Sequence, residues 1–276
     1  MKGCAMNATE PDSSRTSAFN LQPSTSNPQP FFDCNVTLGK VKPPMPGGIL
    51  DAPKLLAEME RYGIAESLVY HAMARRNSPA RGNALVIEAC AQSERLHPCW
   101  MLLPPHTDEL PPLESLADQM FAANVRAVRM APEAGAHQYS LAPVVCGELF
   151  AWIEQHRYPL FIEQGSITWE NMDALLERHC DLRLVVLNVT YRINRDLYPR
   201  LKAYRHLYVE TSGLEQHCGI QDVYERFGPE RLLFGSRMPF FCAGASRHAV
   251  DAAGIPGDAK AAIGGGNLRR LLSQVR

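Results

Sequence analysis

The 276-residue sequence predicts an α/β fold, a single (β/α)8 TIM barrel, and three observations carry that expectation. Apolar strand-like runs alternate with segments of helical periodicity from Pro30 to the C-terminus, and the alternation repeats eight times. The composition is 46% hydrophobic, enough at this length to bury a large core in one domain. Eight such units in about this length match a closed barrel better than an open sheet.

The first predicted strand, 31–38, reads FFDCNVTL, an apolar run whose polar residues arrive at its end. A helix over 53–62 follows, with Asp51 as its start and Gly63 as its C-terminal stop. The second strand, 67–71, ends on His71, and 82–96 is the next helix. Strand 98–103 leads to helix 113–123, and strand 125–130, within VRAVRMAP, leads to helix 144–156. Strand 160–163 is LFIE, followed by helix 169–178; strand 182–188 contains VVLN, followed by helix 196–204. Strand 207–211 precedes helix 220–227, and strand 231–236, RLLFGS, precedes the closing helix 258–272. Gly264–Gly266 read as the turn into that helix, since no Lys-Ser/Thr follows to make a phosphate loop. Residues 1–28, rich in Ser, Thr, Asn and Pro without apolar periodicity, are expected to be a disordered tail, leaving 29–276 as the folded domain.

A formal net charge of -1 gives no electrostatic case for nucleic acid or an acidic membrane. The eight cysteines are scattered, without a C-x-x-C pair, and several lie in apolar runs; free thiols in a reducing cytosol are expected over a disulfide framework. The N-terminal stretch lacks the basic start and apolar region of a leader, and no stretch approaches a membrane span. A soluble cytoplasmic protein is the expectation.

Barrel active sites lie at the C-terminal ends of the strands. In the first strand Asp33, Asn35 and Thr37 alternate with Cys34 and Val36. If Cys34 and Val36 pack against helices, Asn35 and Thr37 point into the barrel mouth. The same reasoning selects Glu163, Asn188 and Arg237 at or just past the ends of later strands, where charges are costly to bury unless paired. His71 is a candidate general base or hydrogen-bond donor, or a structural histidine. Arg129 is a candidate for binding a carboxylate with Arg237, or else an outward-facing strand-end charge. Cys34 has no neighbouring base in sequence and reads as inert, and Ser236 lies outside a G-x-S-x-G elbow. The histidines at 106, 137, 217 and 248 lie in loops without ligand spacing.

Several segments resemble the amidohydrolase-related barrels that include aminocarboxymuconate-semialdehyde decarboxylase. FFDCNVTLG resembles that family's opening I-D-x-H-x-H-x-G strand, RLLFGSRMPF its L-L-F-G-S-D-Y-P segment, and IGGGNLRRLL its closing G-N-A-x-R-L-L helix. HPCWMLLPP after GNALVIEACAQSERL, and VVLNVTYRINRDLYPRLKAYRHLYVETSG, are similar to further stretches in the same order. The resemblance implies a hydrolase or decarboxylase of a small organic acid or a cyclic amide or ester, and, since such proteins often form dimers, a homodimer. It also assigns a divalent metal to two histidines of the first strand, histidines after the fifth and sixth, and an aspartate after the eighth. Here those positions hold Asn35, Thr37, Glu163, Asn188 and Arg237. Amides and a hydroxyl are poor zinc ligands, so no metal and no other cofactor is expected.

Family geometry would bring Glu163 and Arg237 together as an ion pair where the metal would stand, with Asn35, Thr37 and Asn188 satisfying the remaining hydrogen bonds. As an enzyme, the chain would use Arg237 against developing negative charge, Glu163 or His71 for a proton, and Asn35, Thr37, Asn188 and Arg129 to hold a small, anionic substrate. The alternatives are an inactive barrel that binds a small molecule or a protein, and a different metal site built from loop histidines.

Overall fold

The computed structural model describes residues 30–276, so the tail expected over 1–28 lies outside the described residues. Eight strands pair in parallel in chain order: β1 (Phe31–Leu38), β2 (Ile64–His71), β3 (Leu96–Met101), β4 (Ala127–Arg129), β5 (Leu160–Glu163), β6 (Leu184–Leu187), β7 (Leu207–Glu210) and β8 (Leu232–Leu233). The barrel closes through the chain around β8. Cys34 N donates to Phe234 O (2.9 Å) and Thr37 N to Met238 O (2.9 Å). Asp33 Oδ1 accepts from Ser236 N (2.9 Å), so one buried carboxylate stitches the same seam. The eight-stranded barrel expected from the sequence is the observed fold.

The helices follow the connections. In α1 (Ala52–Tyr62), Asp51 accepts from Lys54 N (3.0 Å) and Gly63 turns left-handed at φ 63°, as its residues predict. After β2 comes an unpredicted short helix, α2 (Ala72–Arg76), and the helix predicted over 82–96 is α3 (Pro79–Cys90), which starts and ends earlier than expected. The sequence AMARR is too short to show a period, and its start is marked by a cap that is also the last residue of a strand: His71 Nδ1 accepts from Met73 N (3.1 Å). Then come α4 (Leu113–Ala122), α5 (Pro143–Gln155), α6 (Trp169–Arg178), α7 (Asn194–Ala203) and α8 (Gly219–Phe227). An unpredicted α9 (Ala243–Asp251) follows, whose AGASRHAVD sequence offers few large apolar residues to reveal a face. In place of a turn at Gly264–Gly266, a π-helical segment, 262–266, joins α10 (Gly257–Ala261) to α11 (Asn267–Ser273), and its Ile263 O accepts from Phe234 N (2.9 Å).

Alternate strand residues build two layers. Phe32, Cys34, Leu68, Tyr70, Met101, Phe161 and Leu233 fill the barrel, while Val36, Val69, Val128, Ile162, Val186 and Val209 pack outward against the helices. Cys34 therefore does not share a face with Val36. A register shift between Asp33 and Val36 breaks the strict alternation that placed them together, leaving both Cys34 and, beyond it, Asn35 and Thr37 on the inner side. Burial pushes the Cys34 thiol well above its ordinary range, and the seven described cysteines are free. Among the described residues, no helix is long and apolar enough to cross a membrane.

One backbone approach is tight enough to test. A Cβ added at Gly213, in the turn after β7, would lie 1.6 Å from Val189 O, the carbonyl next to Asn188. Gly213→Ala is expected to cost about 2 kcal/mol by forcing the ends of β6 and β7 apart. A urea midpoint equal to that of the parent would show that the two loops separate freely.

Candidate active site

At the C-terminal ends of the strands lies a cavity of about 470 Å³. It collects Asn35 and Thr37 from β1, Arg129 from the end of β4, Glu163 from the end of β5, Asn188 after β6 and Arg237 after β8. Six of the seven residues singled out from the sequence thus meet around one space. His71 is the exception. It caps α2 through Nδ1 and its ring packs over Gly39, where a Cβ would come within 2.5 Å. Burial, then the charge of Arg81, lowers its pKa; it does not line the cavity and instead caps the helix that carries Arg75.

Glu163 is the electrostatic centre, and its direct partners differ from the expected one. Arg129 Nη2 donates to Glu163 Oε1 (3.0 Å), and Arg75 Nη1 makes a short contact to the same oxygen. Arg237 forms no ion pair with it within 4.0 Å; its charge acts on Glu163 from farther away. The reason is topological. Arg129 lies on the neighbouring strand, whereas Arg237 sits across the mouth, its guanidinium over the Phe241 ring at 4.9 Å. Burial raises the Glu163 pKa, yet the guanidinium charges of Arg129 and Arg75 more than offset it and hold the carboxyl below its usual range. Arg75 also binds Glu133 Oε1 (3.0 Å from Nε). Burial disfavours its charge, and Glu163 then outweighs that, so its pKa is raised.

Arg129 is not an outward-facing charge. It is buried, its guanidinium lies 4.1 Å over the Tyr70 ring, and Nη1 reaches Asn35 Oδ1 (3.4 Å). The reversal follows from Glu163 on the adjacent β5 and Tyr70 on β2, two strands away across the barrel interior, which strand-end position alone does not reveal.

Beneath the cavity is a carboxylate that the sequence reading missed. Glu210 ends β7 and is fully buried. Its Oε2 accepts from Asn35 Nδ2 (3.2 Å), Asn188 N (3.2 Å) and Ser212 Oγ (2.9 Å), and Oε1 accepts from Ser212 N. Burial raises its pKa against those hydrogen bonds. The signal was available: LYVE ends a strand on a carboxylate just as LFIE does. Asp33, also fully buried, accepts from Asn35 N (3.0 Å) as well as Ser236 N, and burial pushes its pKa up to about 6.

Two mouth residues, Asn188 and Arg237, have φ near 58°, the left-handed region that non-glycine residues rarely adopt. Asn tolerates it; an arginine there costs of order 1 kcal/mol or more and persists because surrounding contacts hold it. For Asn188 the hold is the Glu210 carboxylate on its N–H. For Arg237 it is the turn in which Phe240 N donates to Arg237 O (2.9 Å).

These residues do not fit a divalent metal. Glu163 is already engaged by two guanidinium groups, Asn35 Oδ1 faces Arg129, and Arg237 adds a further cation where the resemblance places a ligand. No cluster of three or more His, Cys, Asp or Glu among the described residues could hold one elsewhere.

A family model described as Amidohydrolase matches residues 35–274. No curated protein matches. Among solved structures, the chain is similar to 5-carboxyvanillate decarboxylase from Sphingomonas paucimobilis, at 16% identity and TM-score 0.71, covering 90% of this chain and 100% of that one. It is also similar to 5-carboxyvanillate decarboxylase from Novosphingobium aromaticivorans complexed with manganese and 4-hydroxy-3-methoxy-5-nitrobenzoic acid (12%, TM-score 0.69, 89% and 96%). A third is a probable 2-pyrone-4,6-dicarboxylic acid hydrolase from Acinetobacter baumannii with citric acid bound (12%, TM-score 0.67, 88% and 99%). At these identities the likeness shows a shared fold.

Proposed function

The chain belongs to the amidohydrolase family, and on that premise we propose that its mouth cavity binds a small organic acid with more than one anionic group and cleaves it, by hydrolysis or decarboxylation, without a metal. One observation carries the reading. Lys42, Arg75, Arg76, Arg129 and Arg237 line the cavity against only Glu133 and Glu163. Arg75 and Arg129 are engaged with those carboxylates, so Lys42, Arg76 and Arg237 have no carboxylate partner among the described residues. Such a surplus of positive charge in a walled cavity concentrates and orients anions. Solved relatives with bound citric acid or a nitrobenzoic acid derivative make carboxylic acids the natural ligand class to test.

In this reading Arg237 stabilises negative charge as it develops on the reacting group, from a backbone position held in advance. Glu163, kept ionised by its guanidinium partners, orients a water or a substrate hydroxyl by accepting its hydrogen bond. Its lowered pKa suits orientation better than proton storage. Arg129 and Arg75 fix that carboxylate, so positioning precedes substrate arrival.

Citrate supplies a binding probe. Arg237→Ala is expected to weaken citrate binding by about 10- to 100-fold in calorimetry, the range for losing one charge-assisted hydrogen bond. Equal affinity of variant and parent, or equal binding of an uncharged analogue, would remove Arg237 from the site. Prolonged chelation should leave turnover on a panel of carboxylated lactones and aromatic acids unchanged. Loss of turnover that added manganese or zinc restores would defeat metal independence.

A further inference from the structure

Glu210 is an acceptor with four donors aimed at its two oxygens, three of them on Oε2. That arrangement settles the polarity of the side chain above it. Asn35 presents its amide nitrogen to Glu210, because its other end faces the Arg129 guanidinium, which can only donate, and Glu210 Oε2 already accepts from the backbone N–H of Asn188. The same nitrogen's second hydrogen donates to Asn188 Oδ1 (3.1 Å), while Asn35 Oδ1 turns to Arg129 Nη1 (3.4 Å). Asn35 is buried, and both of its N–H groups are committed to protein acceptors. Asn188 is left with its oxygen occupied and its Nδ2 without a protein partner among the described residues, on the wall of the cavity. Its backbone N–H is held by the same Glu210 oxygen.

We propose that Glu210 is a positioning residue that orders the Asn35 and Asn188 amides in series, so that Asn188 meets the substrate as an obligate hydrogen-bond donor and Asn35 does not contact it. The inference rests on the reading of the cavity as an anion site, and it deepens that reading in three ways. It makes Asn188 Nδ2 a neutral, directional donor in the cavity that Arg237 also lines, which suits one carboxylate or a developing oxyanion and rejects a donor group in the same place. It takes Asn35 out of direct contact, in contrast to its expected role as a substrate ligand. It also makes specificity depend on a carboxylate that never touches the ligand.

Selective 15N labelling of asparagine in the full chain tests the amide order directly, with Asn35→Asp and Asn188→Asp identifying the two side-chain signals. The expected result is a slowly exchanging Asn35 amide pair and a rapidly exchanging Asn188 pair that shifts when citrate is added. In Glu210→Met the Asn35 pair is expected to lose its protection and citrate affinity to fall about tenfold. Glu210→Gln, which can still turn an oxygen toward Asn35, should recover part of both. Should Glu210→Met fail to fold, Asn35→Leu breaks the series while leaving Glu210 its backbone donors, and should weaken citrate to the same extent. A protected Asn188 pair in the parent protein, or an Asn35 pair unmoved by Glu210→Met, would overturn the proposal. Citrate that shifts neither pair while the exchange pattern holds would instead overturn the anion-site reading and leave the amide order standing.

Discussion

Glu163→Leu is expected to lower stability by about 3 kcal/mol, more than any other single truncation at the mouth. The parent carboxylate lies between Arg129 and Arg75, and its removal leaves two guanidinium groups facing each other across the space it occupied. Arg75 can recover, because its side chain is 24% exposed and keeps Glu133. Arg129 cannot: with 6% exposure it retains only the Tyr70 ring and a long hydrogen bond to Asn35. The partial exposure of Glu163 and Arg75 places the expected cost at the lower end of the range for breaking a buried pair. A double-mutant cycle checks the cause. Arg129→Met should cost markedly less in the Glu163→Leu background than in the parent, giving a coupling of about 2 kcal/mol in urea denaturation. Additive losses would mean that the two side chains act independently and that the cavity wall does not depend on their pairing.

Asp33→Asn is expected to change how stability varies with pH. Asp33 is fully buried and its pKa is pushed up to about 6, chiefly by burial, against an ordinary value of 3.8. The folded protein therefore binds this proton more tightly than the unfolded chain does. Between about pH 4 and pH 6 the unfolded chain releases it first, so the contribution of Asp33 to stability falls as pH rises. The full loss is about 3 kcal/mol, from roughly 1.4 kcal/mol per pH unit over the interval. Asparagine keeps the acceptor for Asn35 N and Ser236 N without a charge to bury. The stability difference, variant minus parent, should therefore grow by about 3 kcal/mol from pH 4 to pH 7 and stay level above that. Taking the difference cancels carboxylates such as Glu163, whose pKa is lowered and whose contribution runs the other way. A difference independent of pH would mean that Asp33 titrates normally. The nearby Glu210, whose charge helps raise Asp33, is the control: Glu210→Gln should narrow the interval.

Much of this site could be read along the chain because strands announce their own ends. Asn35, Thr37, Glu163, Asn188 and Arg237 each stand where an apolar run stops, and parallel strands in a barrel bring all such stops to one rim. Arg75 could not be found this way. It belongs to a helix of five residues whose cap is a strand-ending histidine, so neither helix nor side chain had a periodic signal. A strand-end histidine such as His71 looks the same in sequence whether it faces a cavity or, as here, caps the next turn. The face of Cys34 was misread because alternation assumes an unbroken ladder, and β1 carries a register shift at that point.

The sequence by itself determined the eightfold barrel, the rim to which its polar strand ends come, and the amides, hydroxyl, carboxylate and guanidinium that stand there. Periodicity and strand-end chemistry act over a few residues, and those features are local. Tertiary structure alone decided which charges meet. Glu163 takes Arg129 from 34 residues away and Arg75 from 88, and Glu210 reaches Asn35 across 175. Attraction between charges and the polarity of a hydrogen bond depend on distance in space, which strand order and the twist of the barrel set and sequence spacing does not encode.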